Sequence, residues 1–202
     1  NPDVQLHLPP SNSHVAADIY TLSEHEGKMA LAESGVRTPK GRLVPARAAV
    51  QAALALGFPV AMKASGAHLT HKTEVGGVAL NIRTEADARS AAERLAKLSD
   101  TLLVEEMFTD GLAEVLIGVI VDPQFGQVLV LGAGGVLTAI IADSVSLLPP
   151  WTPALIEDGL RRLTLGKLLR GYRGKPPADM EALLGTVLTV ARYAPSHVAA
   201  LV

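Results

Sequence analysis

Lys63 closes the apolar run Pro59-Val60-Ala61-Met62-Lys63 and is followed by Ala64-Ser65-Gly66. A lysine at the mouth of a sheet suits a phosphate, being a compact cation on a flexible stem. A solvated strand-end lysine has the same spacing. Next comes His71-Lys72-Thr73-Glu74-Val75-Gly76-Gly77-Val78. Successive backbone N–H groups around Gly76 and Gly77 can cradle an anion. A neutral imidazole at His71 can attack phosphorus, and Lys72 beside it disfavours imidazolium and attracts anions. A hydrogen-bonded loop histidine is the plainer reading. His68 and His71 have no third ligand close in sequence, so a metal pair is unsupported. Glu105-Glu106 and Glu114 flank a connection, where carboxylates can hold ribose hydroxyls or a metal, or stand as solvated loop charge. Gly132-Ala133-Gly134-Gly135 lacks the lysine of a P-loop and opens no helix, so a tight turn in a sheet is expected there. No G-x-S-x-G elbow occurs.

These residues need elements to position them. Ser23 and Glu26 have capping-box spacing, and a helix follows toward Gly35. Arg42–Val44 reads as a short strand, and Pro45 opens an alanine-rich helix to Leu56. Pro59–Lys63 and Val75–Ile82 read as strands, joined by a loop over Ser65–Thr73. Thr84 caps a helix to about Leu98, and Thr101–Met107 is a strand. Glu114–Val121 and Gln127–Leu131 form a hairpin around Asp122-Pro123-Gln124-Phe125-Gly126. Strands are expected at Val136–Ile141 and Ser146–Leu148, helices at Thr152–Leu163 and Ala178–Tyr193, and a last strand at His197–Val202. A basic loop, Gly171-Tyr172-Arg173-Gly174-Lys175, lies between those helices.

Composition narrows the function classes. The chain has 202 residues, 49% hydrophobic, with 18 basic against 20 acidic residues. That excludes general disorder. With no basic excess and 3% aromatic residues, nothing favours nucleic acid as a partner. Cysteine is absent, which excludes disulfides and thiol catalysis and fits a cytoplasmic protein. Pro123 to Ala142 is uncharged, but its glycines and acidic flanks argue for buried strands rather than a membrane span. Residues 1–20 read as a linker or tail.

In combination these segments are far more specific than singly. Glu24-His25-Glu26-Gly27-Lys28, Pro59–Lys63 and His71–Val78 resemble the ATP-grasp part of the NDP-forming acyl-CoA synthetases. The likeness runs on through Leu103-Val104-Glu105-Glu106-Met107, Glu114-Val115-Leu116-Ile117-Gly118 and Asp122–Gly126 to Leu168-Leu169-Arg170-Gly171-Tyr172-Arg173-Gly174. That family includes ADP-forming acetyl-CoA synthetases and is related to the succinyl-CoA synthetase beta subunit.

The resemblance implies an α+β ATP-grasp fold with nucleotide between two lobes, 21–103 and 104–202. It implies an acid–CoA ligase that converts acyl-CoA, ADP and phosphate to acid, CoA and ATP through phosphohistidine. His71 would be the catalytic phosphate carrier. Lys63 would contact nucleotide phosphates, near the Gly76-Gly77 turn. Glu105 and the backbone near Phe108 would sit at the adenine hinge, and Glu114 would hold ribose. ATP or ADP and magnesium are the implied cofactors, with no metal ligands assigned. CoA-binding and ligase domains are expected in the same polypeptide or a partner subunit, with a small acyl-CoA as substrate. Two departures accompany the likeness. Ala139 stands where the family has an acidic residue, and the family's E-x-D-x-N-P metal strand would fall after Val202, so a chain that stops short is expected. The other function the resemblance allows is a non-catalytic, regulatory ATP-grasp-like module of a larger protein, such as a fused protein acetyltransferase.

Overall fold

A computed structural model describes residues 20–66, 75–135, 143–196 and 200–201. The elements, in order, are β1 (Tyr20–Thr21), α1 (Glu24–Glu33), β2 (Gly41–Pro45), α2 (Ala49–Leu56), β3 (Val60–Ser65), β4 (Val78–Ile82), α3 (Glu85–Leu95) and β5 (Thr101–Glu106). There follow β6 (Val115–Asp122), β7 (Gly126–Ala133), β8 (Ser144–Leu147), α4 (Pro153–Arg162), α5 (Gly166–Leu169), α6 (Met180–Ser196) and β9 (Ala200–Leu201). A 3₁₀ turn at Ala46–Ala48 precedes α2, so Pro45 ends β2 rather than opening the helix directly. The expected strand at Val136–Ile141 lies outside the described residues, as does most of the N-terminal segment.

The first sheet has the order β2-β5-β3-β4, with every neighbour antiparallel. Strand alternation sorts its two faces. Val60, Met62 and Ala64 of β3, with Leu102 and Val104 of β5, enter one buried core. Helices α2 and α3 cover that face. Ala49, Ala52 and Ala53 supply the buried stripe of α2, and Ala88, Ala91, Ala92 and Leu95 that of α3. These are helical spacings, and alanine lets both helices lie close to the sheet. Thr84 caps α3 by accepting from the Asp87 N–H at 3.1 Å. The opposite face of the sheet carries Gly41, Ala61, Lys63, Leu103 and Glu105.

The second sheet is β6-β7-β8, again antiparallel. Leu129, Leu131 and Leu147 form a separate core with Ile156 and Leu160 of α4 and Val187 of α6. Gly159 permits the approach of α4 to β8, since a β-carbon there would stand 3.0 Å from Leu147 Cδ1. Of the glycine-rich stretch 132–135, where a turn is expected, Gly132 and Ala133 still belong to β7. β1 pairs with β9 in parallel and brings residue 20 beside residue 200. Among the described residues no helix is long and apolar enough to cross a membrane.

Candidate functional site

Four charged side chains meet on the face of the first sheet opposite its helices. Strand register brings two of them together. Ala61 pairs with Glu105 and Lys63 with Leu103, so Lys63 and Glu105 are diagonal neighbours on one face. Lys63 Nζ lies 3.1 Å from Glu105 Oε2. Helix α1 supplies the other two, one turn apart. Lys28 Nζ donates to Glu105 Oε1 and Oε2 at 2.7 Å each and to Glu24 Oε1 at 2.8 Å. Lys63 also donates to Glu24 Oε1. The Ser23–Glu26 capping box expected from the sequence fixes the start of α1.

Burial ranks the four. The Glu105 side chain is 4% exposed, against 20% for Lys63, 26% for Lys28 and 30% for Glu24. A buried carboxylate is tolerable only when paired, and two ammonium groups flank this one. Gly41, opposite Glu105 on β2, leaves it room, since a β-carbon there would stand 2.9 Å from Glu105 Cγ. Burial raises the pKa of Glu24, but the hydrogen bonds and charges of Lys28 and Lys63 outweigh it and hold the carboxyl at about 2. Burial likewise pulls Lys63 down, and Glu24 and Glu105 more than reverse this, raising it above its ordinary value.

Gly76 and Gly77 adjoin this cluster. Ala64 N donates to Gly77 O at 2.8 Å, and Lys63 pairs with Val78. Arg94 of α3 grips the same turn through Gly76 O and, at 3.4 Å, Val78 O. The structure therefore unites Lys63, Glu105, Gly76 and Gly77 on one sheet. Phe108 follows β5 and is 66% exposed. That exit is tied down by Met107 N donating to Pro59 O at 3.1 Å. Glu106 Oε1 accepts from Lys40 N at 2.8 Å. The Glu105 carboxylate is paired with Lys28 and Lys63.

Glu114 belongs to the second sheet's surroundings. Its carbonyl accepts from Gly134 N at 2.8 Å, and its carboxylate lies where a β-carbon of Gly135 would be. Gly135 has φ +63°, a region that glycine occupies without penalty. His71 and Ala139 lie outside the described residues.

Sequence reasoning gave Glu24 and Lys28 no role of their own. Their E-x-x-x-K spacing at the start of a capped helix was the available signal. Among the described residues no group of three His, Asp or Glu side chains could hold a metal ion.

Comparison with known proteins identifies the family. The ATP-grasp domain family matches residues 3–198. The acetate–CoA ligase [ADP-forming] II of Archaeoglobus fulgidus is 35% identical over 170 residues, covering 83% of this chain and 25% of that protein. The beta subunit of acetate–CoA ligase [ADP-forming] II of Pyrococcus furiosus is 30% identical over 181 residues, covering 85% of this chain and 76% of that subunit. A dinucleotide forming acetyl-coenzyme A synthetase of Ca. Korarchaeum cryptofilum, solved with coenzyme A, Ca-AMPCP and HgCl+, superimposes with a TM-score of 0.78 at 31% identity, covering 87% of this chain and 80% of that one. The chain spans about a quarter of the length of the first curated relatives it matches, 26%, 25% and 24%. It belongs to the ATP-grasp domain family, with the beta subunit of an ADP-forming acetate–CoA ligase among its relatives.

Proposed function

We propose that this chain is the nucleotide-binding part of an ADP-forming acyl-CoA synthetase, with ADP or ATP held between lobes built on the two cores. The observation that carries the reading is the Lys63 ammonium braced by the buried Glu105, on the strand whose next residue, Ala64, donates its N–H to Gly77 O. In this reading Lys63 neutralises nucleotide phosphate, and the backbone near Phe108 takes the adenine. Glu114, laid over Gly135, takes a ribose hydroxyl. His71 would carry the phosphoryl group. Its N–P bond breaks as a β-phosphate oxygen of ADP forms the new O–P bond, leaving neutral imidazole and ATP. Such transfer is governed by positioning and charge neutralisation, and the lysine lowers the repulsion between ADP and the arriving phosphoryl group.

The acyl-CoA chemistry falls to domains in the same polypeptide or a partner subunit. This division is supported by relatives that occur both as long single chains and as a separate beta subunit. A cytoplasmic location fits the absence of cysteine. Magnesium would arrive with the nucleotide phosphates.

The test is calorimetric titration with ADP and ATP, with and without magnesium, on the wild type and on Lys63→Ala. Binding in the wild type that weakens at least about tenfold in Lys63→Ala is expected, as for a lost charge-assisted contact. Equal affinity in the two proteins would remove Lys63 from the site. Acid-labile phosphate on His71 after incubation with Mg-ATP and the missing domains would then separate an enzyme from a regulatory module.

A further inference from the structure

The cation assigned to phosphate is not a bare one. Glu24, Lys28, Lys63 and Glu105 sum to zero charge, and both lysines are shared between the same two carboxylates. The two carboxylates differ in kind. Glu105 is 4% exposed and rooted in a strand, whereas Glu24 is 30% exposed and hangs from the first turn of α1. Glu105 is therefore the fixed brace, and Glu24 is the more exposed of the two carboxylates. An anion approaching Lys63 meets a like charge already in hydrogen-bonding position on that ammonium.

We infer that Glu24 is an internal place-holder for phosphate, a positioning residue that occupies Lys63 until a ligand phosphate displaces its carboxylate. This rests on the reading of Lys63 as a phosphate contact and adds a regulation of that site. Without ligand, Glu24 keeps the two lysines from repelling one another and holds Lys63 in place. With ligand, the phosphate takes over the Lys63 contact, and Glu24 retains Lys28 or turns to water. Lys28 makes this exchange possible, because its bonds to both Glu105 oxygens hold α1 to the sheet while Glu24 moves. The apparent affinity for nucleotide is reduced by the fraction of molecules in which Glu24 holds the site.

The discriminating variant is Glu24→Gln, with Glu24→Ala as a second in case one of them does not fold. Each is titrated with ADP and, separately, with inorganic pyrophosphate, after thermal denaturation has confirmed a cooperative transition. Removing the competing charge is expected to tighten ADP binding by at least about fivefold, while Lys63→Ala in the same background abolishes the gain. A residue that merely braced the fold would give weaker binding when removed. Unchanged or weakened ADP affinity in folded Glu24 variants overturns the inference and leaves the nucleotide reading standing. Pyrophosphate binding that tightens, where ADP binds no variant, upholds the place-holder and overturns the nucleotide reading. Binding of neither ligand by any folded variant overturns both.

Discussion

Glu105 costs the fold a buried charge, and the side chains around it exist in a form that repays this. Two lysines surround it, Gly41 makes room, and Glu24 completes the neutral group. The pKa directions fix a pH window. Glu24 falls from 4.5 to about 2, so its ion pairs stabilise the fold fully above pH 4.5. That contribution is lost as pH drops toward about 2. Lys63 is raised, so its share is full below its ordinary value of 10.5 and is lost only as pH climbs above it. Urea midpoints measured from pH 7 to pH 2 should therefore fall below pH 4.5, and fall less steeply in Glu24→Gln. Parallel profiles in the two proteins would remove Glu24 from the acid limb. Gly135 offers a second test at this scale. Alanine there suffers about 1–2 kcal/mol from its left-handed backbone and places a methyl group on the Glu114 carboxylate. Gly135→Ala should lower the denaturation midpoint and weaken ADP binding. In a Glu114→Ala background the loss of affinity should disappear while the loss of stability remains.

Elements whose ends are capped locally could be read directly. Ser23 with Glu26, Thr84, and Thr152 with Pro153 announce α1, α3 and α4, and each cap accepts the expected N–H. The short helix Gly166–Leu169 had no such signal. Its support comes from Asp143, whose carboxylate accepts from Thr164 N and Leu165 N at 3.0 Å each across a sequence separation of 21 and 22 residues. Burial raises the Asp143 pKa, and the backbone hydrogen bonds from Thr164 and Leu165, with the Thr164 side chain, together outweigh it and hold the carboxyl below its ordinary value. Asp143→Ala should cost about 1 kcal/mol, the scale of a lost cap. Chemical denaturation would show it, with the slope unchanged. A midpoint equal to the wild type would mean that water replaces the carboxylate there without loss.

At the scale of the whole molecule, the described residues form two cores, each a sheet with its own helices. Leu160 is 1% exposed in the second, and Leu160→Ala should cost about 2–5 kcal/mol. Amide exchange should then accelerate in β7 and leave β3 and β5 protected, because local stability follows local packing. Equal acceleration in all three strands would mean that the cores unfold as one unit. The sequence by itself determined the alternation of helix and strand, the capped helix starts and the ATP-grasp family, because strand period, capping and motif spacing are local properties of the chain; it put Lys63 at a strand end, whereas β3 runs on to Ser65. Tertiary structure decided what Lys63 touches. Its carboxylate Glu24 lies 39 residues away in sequence, and Lys28 reaches Glu105 across 77. Those pairings arise from the register of β3 against β5 and the placement of α1 over the sheet. A charge shows its sign in the sequence, but its partner is set only when packing brings distant elements within hydrogen-bonding reach.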